Sequence, residues 1–74
     1  MVDVQFNLML ADLAGAKRRS FAIEGPMHLK DFAVLAGIPE KSIGMVLINK
    51  AWTPVDCHIH DGDYVQLYPL LEGG

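Results

Sequence analysis

Seventy-four residues with six basic and nine acidic side chains, a formal charge of −3, make one small domain with no positive surplus for nucleic acid or an anionic membrane. A chain this short buries only about 60% of its unfolded surface, which leaves no room for a deep catalytic cleft beside a core, yet 51% apolar and 20% charged residues suffice to fold. One cysteine, Cys57, allows no internal disulfide; with no secretory leader after Met1 and no window long enough to span a membrane, a cytoplasmic protein held by its core is expected.

Val2, Val4, Phe6, Leu8 and Leu10 alternate with Asp3, Gln5, Asn7 and Met9, which predicts a half-buried first strand. Ala11 to Arg19 breaks the pattern with Gly15 and the solvated run Lys17-Arg18-Arg19. Ser20 to Glu24 resumes it, with Phe21 and Ile23 on one side, so the segment reads as a hairpin with a long turn. After Gly25-Pro26, Leu29, Phe32, Ala33, Leu35 and Ala36 recur at helical spacing. Gly37 is placed to end that helix in the left-handed conformation, and Pro39 prevents its continuation. His28 stands where Ser, Thr, Asp or Asn would cap the helix, a missing cap that costs about 1 kcal/mol.

Met45-Val46-Leu47-Ile48 is a short apolar run suited to a central strand, and Asn49-Lys50 marks a turn into a return strand from Ala51 to Val55 that Pro54 interrupts. Trp52 is expected in the core or at its rim, because so small a domain has use for its one large ring. Asp61-Gly62-Asp63 is a tight turn with Gly62 at positive φ. It launches a last strand with Val65 and Leu67 inward and Tyr64, Gln66 and Tyr68 outward, which Pro69 stops. The sum is an α+β fold over residues 1–74, a mixed sheet of four to five strands with one main helix across a face. Residues 70–74 are expected to form a flexible tail.

The chemistry on offer is sparse. Asp56-Cys57-His58-Ile59-His60-Asp61-Gly62-Asp63 gathers potential metal ligands, and His58 and His60 share a face if the segment is extended. A structural zinc site closes on four protein ligands. With no second Cys or His pair elsewhere, and Ile59 reading as the core residue, no metal is expected. Side chains next to Cys57 on a strand point to opposite faces, so no nucleophile–base pair can be argued, and the chain reads as a non-enzyme. What remains is the end, Leu70-Leu71-Glu72-Gly73-Gly74. Two residues without Cβ make a slim arm that presents a carboxylate to a narrow channel. A carboxylate becomes an acyl donor once adenylated, and a persulfide or thiol then displaces AMP.

On Val46-Leu47-Ile48-Asn49, Ile59-His60-Asp61-Gly62-Asp63-Tyr64-Val65, Pro69, Gly73-Gly74, and the helix residues Leu29, Asp31, Phe32 and Leu35-Ala36-Gly37-Ile38-Pro39, the chain resembles the ThiS/MoaD sulfur carriers, β-grasp relatives of ubiquitin. The resemblance implies a ubiquitin-like β-grasp fold and a thiocarboxylate at Gly74, made by a ubiquitin-activating-type enzyme. That enzyme consumes ATP, a persulfide supplies the sulfur, and the carrier itself holds no cofactor. The sulfur passes to molybdopterin, the thiamine thiazole, cysteine or RNA, with a larger acceptor synthase subunit as a further partner. Departures occur at His28, Lys50 and Leu70-Leu71-Glu72, where the family often has Thr or Ser, Gly, and smaller residues.

The uncovered sheet face, with Met9, Tyr64, Gln66, Tyr68 and one side of Met45–Ile48, together with Leu70, Leu71 and Glu72, is the expected partner surface. Two other functions keep the same tail or dispense with it: a ubiquitin-like modifier joined to lysines through Gly74, and a binding module with idle glycines.

Overall fold

A computed structural model describes residues 1–70 of the chain. Strand β1 (Val2–Phe6) buries Val2, Val4 and Phe6 and turns Asp3 and Gln5 outward, as period-2 alternation dictates. Its pattern stops at Phe6, four residues before the Leu10 to which the alternation runs. Leu8 lies at φ 54°, ψ −132°, and the chain enters a short helix α1 (Met9–Ala14) that carries Leu10 into the core. Leu8 and Met9 are exposed, so they do not belong to the strand. The alternation was misleading because helical Leu10 and a continued strand would both place an apolar side chain inward. Gly15 closes α1, and β2 (Arg18–Phe21) returns antiparallel to β1 with Val2 opposite Phe21.

A two-residue strand β3 (Met27–His28) leads into helix α2 (Leu29–Ala36), whose buried residues Leu29, Phe32, Ala33 and Ala36 form one face. The cap predicted to be missing is present. His28 Nδ1 accepts the Lys30 amide at 3.0 Å, doing what a Ser or Asp oxygen does at this position. Gly37 ends the helix at φ 79°, with its N–H donated to the Val34 carbonyl. A 3₁₀ turn (Glu40–Ser42) then delivers β4 (Ile43–Ile48).

Asn49 and Lys50, both at positive φ, make a two-residue turn into β5 (Ala51–Thr53), which stops before Pro54. Strand β6 (His58–Ile59) pairs with β3, and the Asp61-Gly62-Asp63 turn launches β7 (Tyr64–Pro69). The main sheet runs β2-β1-β7-β4-β5, with β1 and β7 parallel at its centre and the other pairs antiparallel. Helix α2 covers one face.

Phe32 meets Phe21 edge-on at 5.2 Å between ring centres, amid Val4, Leu29, Ile59, Val65 and Leu67. Ile59 is fully buried, as its place between two histidines implied. Among the described residues no buried polar side chain lacks a partner, and no helix is long and apolar enough to cross a membrane.

Candidate functional site

The face of the sheet away from α2 is set by parity along the strands. On β7, Val65, Leu67 and Pro69 are buried, which turns Tyr64, Gln66 and Tyr68 to the open side, where all three are half-buried. Register places Met45 beside Tyr68 and Leu47 beside Gln66. The Asn49-Lys50 turn fixes Leu47 opposite Trp52, so Trp52 belongs to this same open face and is 67% exposed. The expectation of a core or rim tryptophan is therefore corrected: the α2 side is filled by Phe6, Phe21 and Phe32, and the hairpin register gives Trp52 no way inward.

The two ends of the open face differ in chemistry. Toward β1 and β2 it is polar. Gln5 Oε1 accepts from Tyr64 Oη at 3.1 Å and from Gln66 Nε2 at 2.9 Å, and the Arg18 guanidinium lies 5.9 Å from the Tyr64 ring centre. Toward β4 and β5 it is apolar, with Met45, Leu47, Tyr68 and Trp52. Here Leu8, Gly44, Met45, Tyr68, Pro69 and Leu70 line an open hollow of about 240 Å³. Leu8 is 69% exposed in a backbone conformation that suits glycine, an apolar side chain held outward at some cost. Met9 lies beyond, with Lys41, Ser42 and Leu70, beside the end of the sheet and not on its open face.

The chain leaves the sheet at the same corner. The Leu70 amide donates to Ser42 O at 2.8 Å, and its side chain is half exposed. Leu71, Glu72, Gly73 and Gly74 lie outside the described residues. Thus Tyr64, Gln66, Tyr68 and Leu70 fall on or beside one surface, as expected, and Leu8, Gly44 and Trp52 join them unpredicted. Parity could have found Trp52, because a two-residue turn at Asn49-Lys50 places it on the side opposite Val46.

The histidine-rich segment is assembled differently. His28 Nδ1 accepts a hydrogen bond from the Lys30 amide, so Nε2 carries the ring hydrogen and donates to Asp56 Oδ1 at 2.6 Å. This hydrogen bond above all holds the exposed Asp56 carboxyl below its ordinary value. His58 stacks edge-on against His28 at 5.2 Å between ring centres, while His60 lies apart and exposed. Burial, then the nearby Asp56 and Asp63 carboxylates, pushes the Cys57 thiol up, away from a reactive thiolate. Among the described residues no group of three or more His, Cys, Asp or Glu is placed to hold a metal ion. The segment fastens β6 to the start of α2.

The family described as Mut7-C ubiquitin matches residues 1–73. No curated protein sequence matches. Among solved structures, SAMP1 from Haloferax volcanii superposes with a TM-score of 0.69 at 21% identity, covering 99% of this chain and 98% of its own. A protein provisionally described as molybdopterin converting factor, subunit 1, from Pyrococcus furiosus gives 0.68 at 17% identity, covering 95% and 97%. The HVO 2177 protein of Haloferax volcanii gives 0.71 at 18% identity, covering 99% of this chain and 85% of that one. At these identities the likeness establishes the fold, a ubiquitin-like β-grasp of the kind seen in MoaD-like proteins.

Proposed function

From the premise that this chain belongs to the Mut7-C ubiquitin family, we propose that it is a sulfur carrier whose Gly74 carboxylate is adenylated and converted to a thiocarboxylate. The observation that carries this reading is the adjacency of three things. An exposed apolar face holds Leu8, Met45, Trp52 and Tyr68, the chain exits beside it at Leu70, and the sequence then runs Leu71-Glu72-Gly73-Gly74. The face suits a partner of the ubiquitin-activating type, with aromatic side chains as its energetic centre. The tail suits that partner's channel.

In the proposed cycle a Gly74 carboxylate oxygen attacks the α-phosphorus of ATP held by the partner, and pyrophosphate leaves. The terminal sulfur of a persulfide then attacks the acyl carbon and AMP leaves, giving an acyl disulfide. A thiol reduces that disulfide, which releases the thiocarboxylate and a new disulfide. Every reactive step lies on partners, consistent with a chain in which no buried polar side chain of the described residues lacks a partner and the one thiol is pushed up. The chain holds no cofactor of its own in this cycle. Molybdopterin is the proposed acceptor chemistry with a larger synthase subunit as partner, by analogy with the converting-factor neighbour.

The test is ATP–pyrophosphate exchange with the cognate activating enzyme. A chain lacking Gly74, or extended by one residue beyond it, should support no exchange. Tyr68→Ala and Trp52→Ala should each raise KM about tenfold, the effect of losing a central aromatic anchor. Exchange by the extended chain at the wild-type rate would remove the carrier reading. Lysine-linked adducts through Gly74, with no thiocarboxylate, would transfer it to a protein modifier.

A further inference from the structure

Strand β4 carries a glycine, Gly44, at the one place where the sheet's last strand is about to let go of the chain. Ile43 is opposite Pro69 and Met45 is opposite Tyr68, so two steps along β4 match one step along β7 and Gly44 is the extra residue of a bulge. Its φ lies outside the range that favours glycine, so backbone conformation does not explain the residue. Proximity does. A Cβ at position 44 would lie 2.6 Å from Leu70 Cα, 2.9 Å from Pro69 O and 3.0 Å from Leu70 N. All three contacts are backbone, so no side-chain rotation relieves them. The passing chain is held down by the Leu70 amide on Ser42 O, from the 3₁₀ turn just before β4.

We infer that Gly44 is a positioning residue: the bare bulge lets the backbone of residues 69–70 lie flat across β4, and this contact sets the direction in which the Gly74 carboxylate is delivered. The role rests on the carrier reading for its consequence, though not for its geometry. Any side chain at 44 must lift Leu70 off the sheet and break its bond to Ser42, which changes the direction of the chain at Leu70. The fold itself should survive. Gly44 is exposed and bears on the chain's departing end, whereas the core lies among Val46, Val65 and Leu67 on the other side. Binding through Tyr68 and Trp52 should survive as well, so the loss belongs in kcat and not in KM.

The experiment uses the full chain as wild type, Gly44→Ala and Leu70→Pro; the last removes the donor to Ser42 and leaves Gly44 in place. Hydrogen exchange at backbone amides is followed by NMR, alongside kcat and KM for adenylation by the cognate activating enzyme. In Gly44→Ala the Leu70 amide should exchange at least about tenfold faster while Val65 and Leu67 keep their protection, local opening without global unfolding. In both variants kcat should fall at least about tenfold, with KM held in Gly44→Ala and no higher in Leu70→Pro than in a Leu70→Ala control that loses the same side chain but keeps the amide, the cost of a misplaced reacting group.

Unchanged protection at Leu70 in Gly44→Ala would overturn the inference. So would a kcat within about twofold of wild type in a variant whose Leu70 tie is lost, or a loss expressed wholly in KM. If Gly44→Ala fails to fold, Leu70→Pro decides by the same split of kcat against KM. If the wild-type chain is never adenylated, the carrier reading falls, and the exit geometry is still decided by the Leu70 amide.

Discussion

Leu8 offers the sharpest test of the physical argument, because two truncations at one site should differ in an order that backbone strain decides. At φ 54°, ψ −132° the Leu8 backbone is where the first central residue of a type II′ turn sits, and the Leu10 amide donates to Asn7 O at 3.1 Å across it. An L-residue in so sparsely populated a region costs about 1–3 kcal/mol. Glycine would be free of that strain but loses about 0.5–1 kcal/mol more than alanine in ordering its backbone. Leu8→Gly and Leu8→Ala discard nearly the same contacts, few in either case because the side chain is 69% exposed. The difference between them is therefore strain relief less glycine's entropy, about 0–2.5 kcal/mol in favour of glycine and about 1 kcal/mol at mid-range. Urea unfolding followed by far-ultraviolet circular dichroism measures it, and a Tm difference of about 4–8 °C per kcal/mol should accompany it. If Leu8→Ala proves more stable than Leu8→Gly by glycine's full entropy cost of about 0.5–1 kcal/mol, the strain at Leu8 is not there. Both variants should weaken binding to the activating enzyme, which would show what the strain maintains.

Three further outcomes are expected. Phe32→Ala, which empties the centre of the core against Phe21, should cost about 3–5 kcal/mol. In so small a domain that loss should appear as a large drop in urea midpoint or no folded state at all. His28→Ala should cost about 1 kcal/mol by removing the α2 cap, and His28→Asn, which restores a capping oxygen, should recover much of it. Because His28 holds the Asp56 carboxyl below its ordinary value of 3.8, the pair's stability is present above that value and lost as pH falls through the lower folded one. The stability gap between wild type and Asp56→Asn should thus hold steady above the ordinary range and close below it. Cys57, its thiol pushed up by burial, should be alkylated by iodoacetamide more slowly than free cysteine at pH about 8, and its rate should still be rising past the free thiol's midpoint.

The sequence was readable where one periodicity had one meaning. The α2 stripe from Leu29 to Ala36, the Gly37 stop, and the alternation of β7 each admit a single element, and each is found. Legibility failed where two structures satisfy the same pattern. Leu10 is buried whether it closes a strand or turns inward on a helix, so alternation could not reveal α1. His28 looked like a poor cap because its type is uncommon there, but the acceptor nitrogen became available only through Asp56, distant in sequence, which fixes the tautomer. Ring size alone argues for Trp52 in the core, and register overrides it. The two-residue turn had already assigned it to the open face. Of the site, Tyr64, Gln66 and Tyr68 could be read from parity. Gly44 could not be seen as a crossing point until β4 and β7 were paired, although a glycine inside an apolar run is the usual sign of a bulge or a close backbone approach.

The central claim is chemical and concerns the last atom of the chain. Untagged protein is incubated with ATP, a sulfur source and the host's own extract, and its intact mass is measured beside a chain lacking Gly74. The account predicts the exchange of one oxygen for one sulfur, localised to Gly74 by fragmentation and absent from the shortened chain. Unmodified protein in an extract shown to activate another carrier would contradict it.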